Sequence, residues 1–495
     1  MGAATTKNST RFKRALRATL ATAVLSVVGS LGAQTMGTSR DHLLKGLLEE
    51  SPLPRSAVQL PSRPEAQRYI ILFDSESGLP ASFERAVTVA GGTLLRAIPQ
   101  VGMAIASGNA EFAANIERTP GVQRVAPEVP LQSGPDVAAT LAAPSPAVVP
   151  WNMRAIKADA AWAAGYRGNP AVKVAILDSG IDPTHSDLVG VVDAARSASV
   201  IEDIPGLPQC FDTSLIATYF PGAPAWIDIH THGTHVAGIV AAQGRGISGI
   251  APHVTVFAVK VINICNIILP SWGIAGLVHA ADQGADVINM SIATVVPRSC
   301  RYEGEPRGTV ADDCAAVLSA LNRAVAYVRG RGALLVAAAG NAAIDFDHAK
   351  DLTVLPADIP GVMGVSATAP IGGLNPDTPT VYTNYGSSLV DVAAPGGLVG
   401  DDRVLSLCSN FSVVYPECLF RNTYQYRAGT SFSAPHVAGV AALVDSIYGG
   451  LLNGDELQSI IASTADDLGK PGKDPLFGRG RLNAFRAVTE RPAAP

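Results

Sequence analysis

Charge is scarce in this 495-residue chain, with Asp, Glu, Lys and Arg making up only 16%, and aromatic residues are scarcer at 6%. The formal net charge is −5, so the basic excess of a dedicated nucleic-acid binder is missing. No Asp or Glu occurs among the first 40 residues, where Lys7, Arg11, Lys13, Arg14, Arg17 and Arg40 stand. No cysteine precedes Cys210, and no C-x-x-C occurs, which argues against a zinc knuckle. Beyond Ala33 no run of about 18 apolar residues appears, so no later membrane span is expected. Internal repeats are absent. What is present is an apolar fraction of 47%, enough for a large core, with 48 Gly and 35 Pro, as in a loop-rich α/β protein. Domains run to roughly 100–200 residues, so the length fits one large or two smaller domains plus processed segments.

The charge is unevenly placed. Residues 41–495 hold 31 basic and 42 acidic residues, and residues 151–495 hold 23 and 31. The basic start, followed by the apolar stretch Ala18–Ala33 with small residues at its end, reads as a secretory signal peptide over 1–33. The alternative, a membrane anchor, needs a longer and more apolar segment. Residues 34–67 read as a Pro-bearing linker. Next comes a compact β-α-β-α-β pattern over 68–130, with strands at 68–73, 102–107 and 122–128 and helices at 82–92 and 109–122. Residues 131–150 are nearly uncharged and rich in Pro, Ala and Ser. They lack an amphipathic period and read as an exposed linker open to proteolysis.

From 151 to 490 strands and helices alternate. Continuous apolar strands are expected at 172–178, 254–261, 285–291 and 333–340. Helices are expected at 234–242, 274–283, 314–330 and 431–448, the last with Pro435 in its first turn. This order predicts an α/β fold in three layers, with a mainly parallel sheet flanked by helices. Ligands in such sheets sit at the carboxyl ends of the strands.

Four segments lie at such ends. Asp178 closes a buried strand in Ile176-Leu177-Asp178-Ser179-Gly180. His232 opens a helix in His232-Gly233-Thr234-His235; an H-x-x-H pair could suggest a metal, but the glutamate of H-E-x-x-H is missing. Ser431 opens a second helix in Gly429-Thr430-Ser431-Phe432-Ser433-Ala434-Pro435-His436, where a plain N-cap is the competing explanation. Asn341 follows a buried strand in Ala338-Ala339-Gly340-Asn341. A serine hydroxyl is a weak nucleophile until an imidazole takes its proton and a carboxylate fixes that imidazole's tautomer. A helix amino end and an amide side chain then favour a developing oxyanion.

VAILDSGID (174–182), HGTHVAGIVAA (232–242), GIAPHVTVFAVKV (249–261), VINMS (287–291), VAAAGN (336–341) and GTSFSAPHVAGVAAL (429–443) together resemble the subtilisin-like serine proteases, also called subtilases. The likeness spans about 151–488. It implies a secreted serine endopeptidase in which Asp178 orients the base, His232 is general base and acid, and Ser431 is the nucleophile. Asn341 and the Ser431 backbone N–H supply the oxyanion hole. His235 and His436 fall outside the triad and are expected to cap or pack nearby. The resemblance makes Ser291, Ile292 and Ala293 the substrate-binding strand, with Ala293 where the family usually has Gly. A narrow primary pocket near Thr353 and Val354 is expected from the same alignment.

The 68–130 unit resembles the family's inhibitory propeptide, with maturation cleavage within 131–150 and WNMRAIKADAAW (151–162) near the mature start; a permanent accessory domain is the alternative. The implied partners are protein or peptide substrates and the chain's own propeptide, with no nucleic acid, no stable membrane anchor and a monomeric state. Localisation is expected to be extracellular or periplasmic.

The chemistry implies no required cofactor. The resemblance admits a structural calcium at Asp187 and the loop Gln243–Gly249, where Arg245 is a poor companion for a cation. Six cysteines behind a secretion signal suggest disulfides, with many connectivities open. The simplest pairs neighbours, Cys300–Cys314 and Cys408–Cys418, leaving Cys210–Cys265; free thiols are the alternative. The stretches 191–230, 292–313 and 397–428 read as loops that these bridges staple. An α/β-hydrolase esterase is disfavoured because no G-x-S-x-G occurs and the order Asp, His, Ser is wrong for it. A sedolisin-like enzyme needs Glu where His232 stands. A catalytically silent scaffold is disfavoured because all four chemical positions are filled.

Overall fold

The structure, a computed structural model, describes residues 67–132, 137–141 (as backbone), 149–204, 210–299, 313–370, 375–398 and 402–490. The expected signal peptide, the linker up to residue 66, and Cys300 lie outside them.

A small α+β unit comes first. Its elements are β1 (Gln67–Phe73), α1 (Phe83–Val89), β2 (Thr93–Ile98), β3 (Met103–Gly108), α2 (Ala110–Glu117) and β4 (Val122–Pro127). The strands form one sheet in the order β2-β3-β1-β4, all described pairs antiparallel. The expected β-α-β-α-β pattern therefore missed a strand, β2. TLLRAI carries Arg96 and borders Pro99, and its residues alternate between exposed and half-buried, as befits a sheet edge. One face of this sheet packs on α1 and α2 through Tyr69, Ile71, Phe73, Phe83, Phe112 and Ile116. The other face belongs to a second core, described below.

The expected linker is partly strand. β5 (Leu131–Gln132) and β6 (Val137–Leu141) both pair with strands of the large domain. Their sequences lack periodicity because the partner edges, not a buried face of their own, hold them extended.

The large domain begins with two short helices, α3 (Trp151–Ala155) and α4 (Ala158–Ala163). It continues through β7 (Lys173–Asp178), β8 (Ala198–Ser199), α5 (Asp212–Tyr219), α6 (His232–Ala241), β9 (Thr255–Lys260), β10 (Ile267–Ile268) and α7 (Pro270–Asp282). Then follow β11 (Val287–Met290), β12 (Thr294–Pro297), α8 (Asp313–Gly330), β13 (Leu334–Ala338), β14 (Leu352–Leu355), β15 (Val362–Ala369), β16 (Thr378–Pro379) and β17 (Val392–Pro395). The chain closes with β18 (Val404–Leu407), β19 (Tyr424–Ala428), α9 (Thr430–Ile447), α10 (Gly454–Thr464) and α11 (Ala484–Thr489).

The main sheet runs β16-β15-β13-β11-β7-β9-β8, with β17 also on β15, and among the described residues only its β15–β16 pair is antiparallel. Its strands are apolar on both faces because helices cover both. On one side α6 and α9 bring Val236, Ile239, Val240, Phe432, Val437 and Leu443 against the sheet. On the other, α7 and α8 bring Ile274, Leu277, Val325 and Val328. This is the three-layer arrangement that the alternating pattern predicts.

All three stretches expected to be loops contain regular elements: β8 and α5 lie within 191–230, β12 within 292–313, and β18 and β19 within 397–428. β12 pairs antiparallel with β14, and β18 with β19. The Cys210–Cys265 and Cys408–Cys418 disulfides are present as expected. Cys314 is also disulfide-bonded. By loop length alone, the two described bridges restrict the unfolded chain by about 4 and about 3 kcal/mol.

Candidate active site

Parallel strands feed their carboxyl ends to one edge of the sheet, and four sequence-predicted residues meet there. Asp178 is the last residue of β7 and is fully buried. His232 opens α6, and its Nδ1 donates to Asp178 Oδ1 at 2.7 Å. The same oxygen accepts the Ser179 N–H at 2.7 Å. Gly233 is obligatory for this contact, because a Cβ there meets Gly180 O at 2.1 Å and Asp178 Oδ1 at 3.2 Å.

The entry to α6 is strained. Thr231, a β-branched residue, has φ +107°, a region that costs free energy unless its surroundings hold it. They do. Asp228 Oδ1 accepts from Thr231 N–H at 2.7 Å and His230 N–H at 3.0 Å, and Oδ2 accepts from Thr234 N–H at 2.8 Å and its hydroxyl at 2.7 Å. The Ser179 hydroxyl donates to Asp228 at 2.9 Å and accepts from Gly233 N–H at 3.0 Å, which links the strand end to the helix start. Asp228 is a positioning residue that the sequence reading missed. The signal available was an acidic residue four positions before a helix rich in small and hydroxyl side chains. The disulfide loop also braces this turn, since Ser409 N–H donates to the Thr231 hydroxyl at 2.7 Å and Val413 N–H to Ile229 O at 2.9 Å.

Ser431 is the second residue of α9, and the ring of its neighbour Phe432 lies 5.4 Å from the His232 ring. Pro435 is the sixth residue of α9 rather than in its first turn. A proline there leaves the carbonyl four residues earlier, that of Ser431, without its helical partner. The Ser291 hydroxyl fills the gap, donating to Ser431 O at 2.6 Å, and Asn289 Nδ2 donates to that hydroxyl at 3.0 Å. Ser291 thus ties the predicted substrate strand to the nucleophile helix. Its neighbours Ile292 and Ala293, expected to be strand, lie instead in the connection between β11 and β12, and Ala293 Cβ lies 3.3 Å from where a Cβ on Gly340 would stand.

Asn341 is held through its oxygen. Its Oδ1 accepts from Thr430 N–H at 2.9 Å and from the Thr430 hydroxyl at 2.8 Å, and that hydroxyl accepts from Gly340 N–H at 2.9 Å. Asn384 pins the rest of the loop, donating to Ala339 O at 2.8 Å and accepting from Ala342 and Ile344 N–H.

Three buried histidines near the site are kept neutral. His436 accepts from Asn152 Nδ2 at 2.9 Å and donates to Phe432 O at 2.7 Å, and burial lowers it to about 4. His235 donates to Gln425 O at 3.1 Å; burial, seconded by the Arg427 cation, lowers it well below the ordinary range. Burial and Arg427 likewise lower His230 to about 3.

The calcium position does not fit a cation. Asp187 Oδ1 accepts from Arg245 N–H at 2.6 Å, and Oδ2 accepts from Gly246 N–H at 3.0 Å, Ile247 N–H at 3.2 Å and the Tyr424 hydroxyl at 2.8 Å. Protein donors therefore occupy both oxygens, and the Arg245 guanidinium stands close by on Ser186 O.

Two short segments of the chain pair with strands of the large domain near these residues. β5 pairs antiparallel with β10, and the Thr294 hydroxyl donates to Gln132 O at 3.3 Å. Leu131 borders an apolar cavity with Ile268, Pro270, Ile292, Thr294 and Leu355. β6 pairs antiparallel with β19, Val137 opposite Ala428, three residues before Ser431. Ser431 and His232 are each only 6% exposed.

A family model described as the subtilase family matches residues 169–480. The chain belongs to the subtilase family. It is a subtilisin-like serine protease, and subtilases need no cofactor for catalysis. Subtilisin DY of Bacillus licheniformis is 32% identical over 342 residues, covering 69% of this chain and 98% of that protein. Thermitase of Thermoactinomyces vulgaris is 32% identical over 338 residues, covering 67% and 93%. A thermophilic serine proteinase of Bacillus sp. strain AK1 is 31% identical over 326 residues, but the chain covers only 63% of its length. Among solved structures, the fold is similar to the epidermin leader peptide processing serine protease of Staphylococcus aureus, with TM-score 0.68 and 19% identity over 86% of this chain and all of that one. Fervidolysin of Fervidobacterium pennivorans gives TM-score 0.63 and 21% identity over 87% and 61%.

Proposed function

We propose that this subtilase is a secreted, monomeric endopeptidase made as a self-processing precursor. Ser431 attacks the scissile carbonyl, and His232 takes its proton through Nε2 while Asp178 holds the ring by Nδ1. Asn341 Nδ2 and the Ser431 N–H stabilise the oxyanion. His232 returns the proton to the leaving amine, an acyl-enzyme remains, and water releases it. The observation that carries the catalytic reading is the 2.7 Å bond from His232 Nδ1 to the buried Asp178, made beside the helix whose second residue is Ser431.

Residues 68–130 act as the inhibitory propeptide. In support, Glu128 accepts from Ser271 N–H at 2.8 Å in the first turn of α7 and from Arg68 at 2.8 Å. Arg323 of α8 donates to Phe73 O at 3.0 Å and Gly102 O at 3.2 Å. The pairing of β5 with β10 and of β6 with β19, in two separate sheets of the large domain, supports a maturation cut between these two strands. Secretion is supported by the basic and apolar stretch at 1–33 and by the disulfides. Among the described residues no helix is long and apolar enough to cross a membrane.

Ser431→Ala tests the whole reading. It is expected to lose peptide hydrolysis by several orders of magnitude and to remain full length. Complete processing of the purified variant contradicts self-cleavage, and retained hydrolysis contradicts the assignment of Ser431.

A further inference from the structure

Asn341 stands in a turn that leaves β13 at Ala338 and follows no regular element. Two residues with left-handed backbone flank it, Gly340 at φ +97° and Ala343 at φ +55°. Alanine keeps that conformation only where its surroundings hold it. Thr430 fixes the Asn341 side-chain oxygen. A bond at the far end of a side chain does not fix where the backbone beneath it stands. A second segment does. Tyr382 to Tyr385, in the connection between β16 and β17, runs beside the turn. Ala343 N–H donates to Tyr382 O at 2.8 Å, Asn384 N–H to Gly340 O at 2.8 Å, and Tyr385 N–H to Ile344 O at 3.0 Å. The Asn384 side chain reaches inside the turn itself. Its Nδ2 donates to Ala339 O at 2.8 Å, and its Oδ1 accepts from Ala342 N–H at 3.1 Å and Ile344 N–H at 3.0 Å.

We infer that Asn384 is a positioning residue for the reaction: by clasping the backbone on both sides of Asn341, it sets where Asn341 Nδ2 stands as charge develops on the scissile carbonyl oxygen. The inference rests on the proposed role of Asn341 in the oxyanion hole and adds a residue that acts only through it.

The chemistry of the clasp calls for an amide. A primary amide offers N–H donors at one end and an oxygen with two lone pairs at the other. Here the donor end serves the carbonyl two residues before Asn341, and both lone pairs serve N–H groups one and three residues after it. Aspartate has no donor for Ala339 O, and alanine reaches none of the three groups. The fit is close as well. Asn384 is fully buried, and its Nδ2 occupies the space that a Cβ on Gly340 would need. Such placement bears directly on rate. An oxyanion donor works when it stands about 2.7–3.1 Å from the developing charge, and a displacement of about 1 Å can cost about 10²-fold. Thr430 therefore orients the amide and Asn384 locates the backbone that carries it, so the donor is in place before the substrate arrives.

The test is a double-mutant cycle between Asn384 and Asn341, read as kcat and KM on a chromogenic peptide. Asn384→Ala alone is expected to lower kcat by about 10–10²-fold and to move KM by less than about threefold, because the oxyanion exists only in the transition state. In the Asn341→Ala background the same substitution is expected to lower kcat by less than about twofold further, since no amide is left to misplace. A residue that merely braces the fold harms both enzymes alike, so an equal loss in the two backgrounds overturns the inference, as does a loss carried by KM. Asn384→Asp keeps the acceptor for both N–H groups and serves where the alanine variant does not fold. It is expected to lower kcat at least about threefold, again only with Asn341 present, and a wild-type kcat in this variant also overturns the inference. Full kcat in Asn341→Ala refutes the oxyanion reading instead.

Discussion

Thr430→Val removes one hydroxyl and almost no volume. The hydroxyl makes two bonds, to Asn341 Oδ1 at 2.8 Å and from Gly340 N–H at 2.9 Å, and the residue is fully buried. Valine leaves Asn341 anchored only by the Thr430 N–H at 2.9 Å. A complete oxyanion donor is worth about 10²–10³ in kcat. An amide that keeps one of two anchors should lose part of that, about 10–10² in kcat, or roughly 1.4–2.7 kcal/mol of transition-state stabilisation. KM should stay within about threefold, because the oxyanion exists only in the transition state. The stranded Gly340 N–H should also lower stability by about 1–3 kcal/mol. Steady-state kinetics on a chromogenic peptide and urea unfolding read the two effects separately. Thr430→Ser keeps the hydroxyl and should restore most of kcat, while Asn341→Ala should set the lower limit. A valine variant with unchanged kcat, or with an equal rise in KM, refutes the claim that Thr430 aims the amide.

Two further outcomes concern stability. Burial, reinforced by Asp286, raises Asp445 to about 6, above the ordinary carboxylate value near 4. The folded state therefore keeps a proton that the unfolded chain releases, so stability is intact below about pH 4 and falls as pH rises through about 6. Asp445→Asn retains the acceptor for Leu452 N–H. It should be more stable than wild type at pH 8 by on the order of 1–3 kcal/mol and equal to it at pH 3.5; the same increment at both pH values refutes the assignment. Asp187→Asn turns a donor toward Gly246 N–H, Ile247 N–H or the Tyr424 hydroxyl and should cost about 1–3 kcal/mol. That loss should be identical with and without EDTA. A loss that appears only in the presence of calcium means the carboxylate holds an ion.

The three residues proposed as the triad stand out in the sequence because each sits in a contiguous segment whose neighbours are fixed by local demands: a buried parallel strand before Asp178, small residues after His232, and a helix start at Thr430 beside Ser431. The parallel sheet was legible for the same reason, since both-sides burial leaves unbroken apolar runs. Long-range partnerships were not. Asp228 looks like an ordinary loop carboxylate until Ser179 and Thr234 arrive from elsewhere in the chain. Lys260 sits in an apolar strand and is buried because Asp212 meets it at 2.7 Å and Ile227 O accepts from it at 3.0 Å. β5 and β6 were read as exposed linker because extended chain docked on another strand's edge leaves no period of its own. Pro435 was placed one turn early, since nothing local announces that a serine 144 residues upstream covers the orphaned carbonyl.

The small unit and the large domain share one apolar core. Ile70, Leu72, Ile98, Val101, Met103 and Ile105 join the cluster built by Leu277, Val317, Leu321 and Val325 from α7 and α8. Separation bares both faces to water, but not with equal consequence. The large domain keeps its other core of more than fifty buried residues, whereas the small unit retains only the ten on its helical side. A sheet of four short strands stripped of half its cover loses on the order of 25 cal/mol for every Å² newly wetted. It has little stability to lose at about 60 residues. Under the proposed maturation, detachment leaves the fragment as unfolded chain beside an active protease, and its destruction would make activation a one-way step.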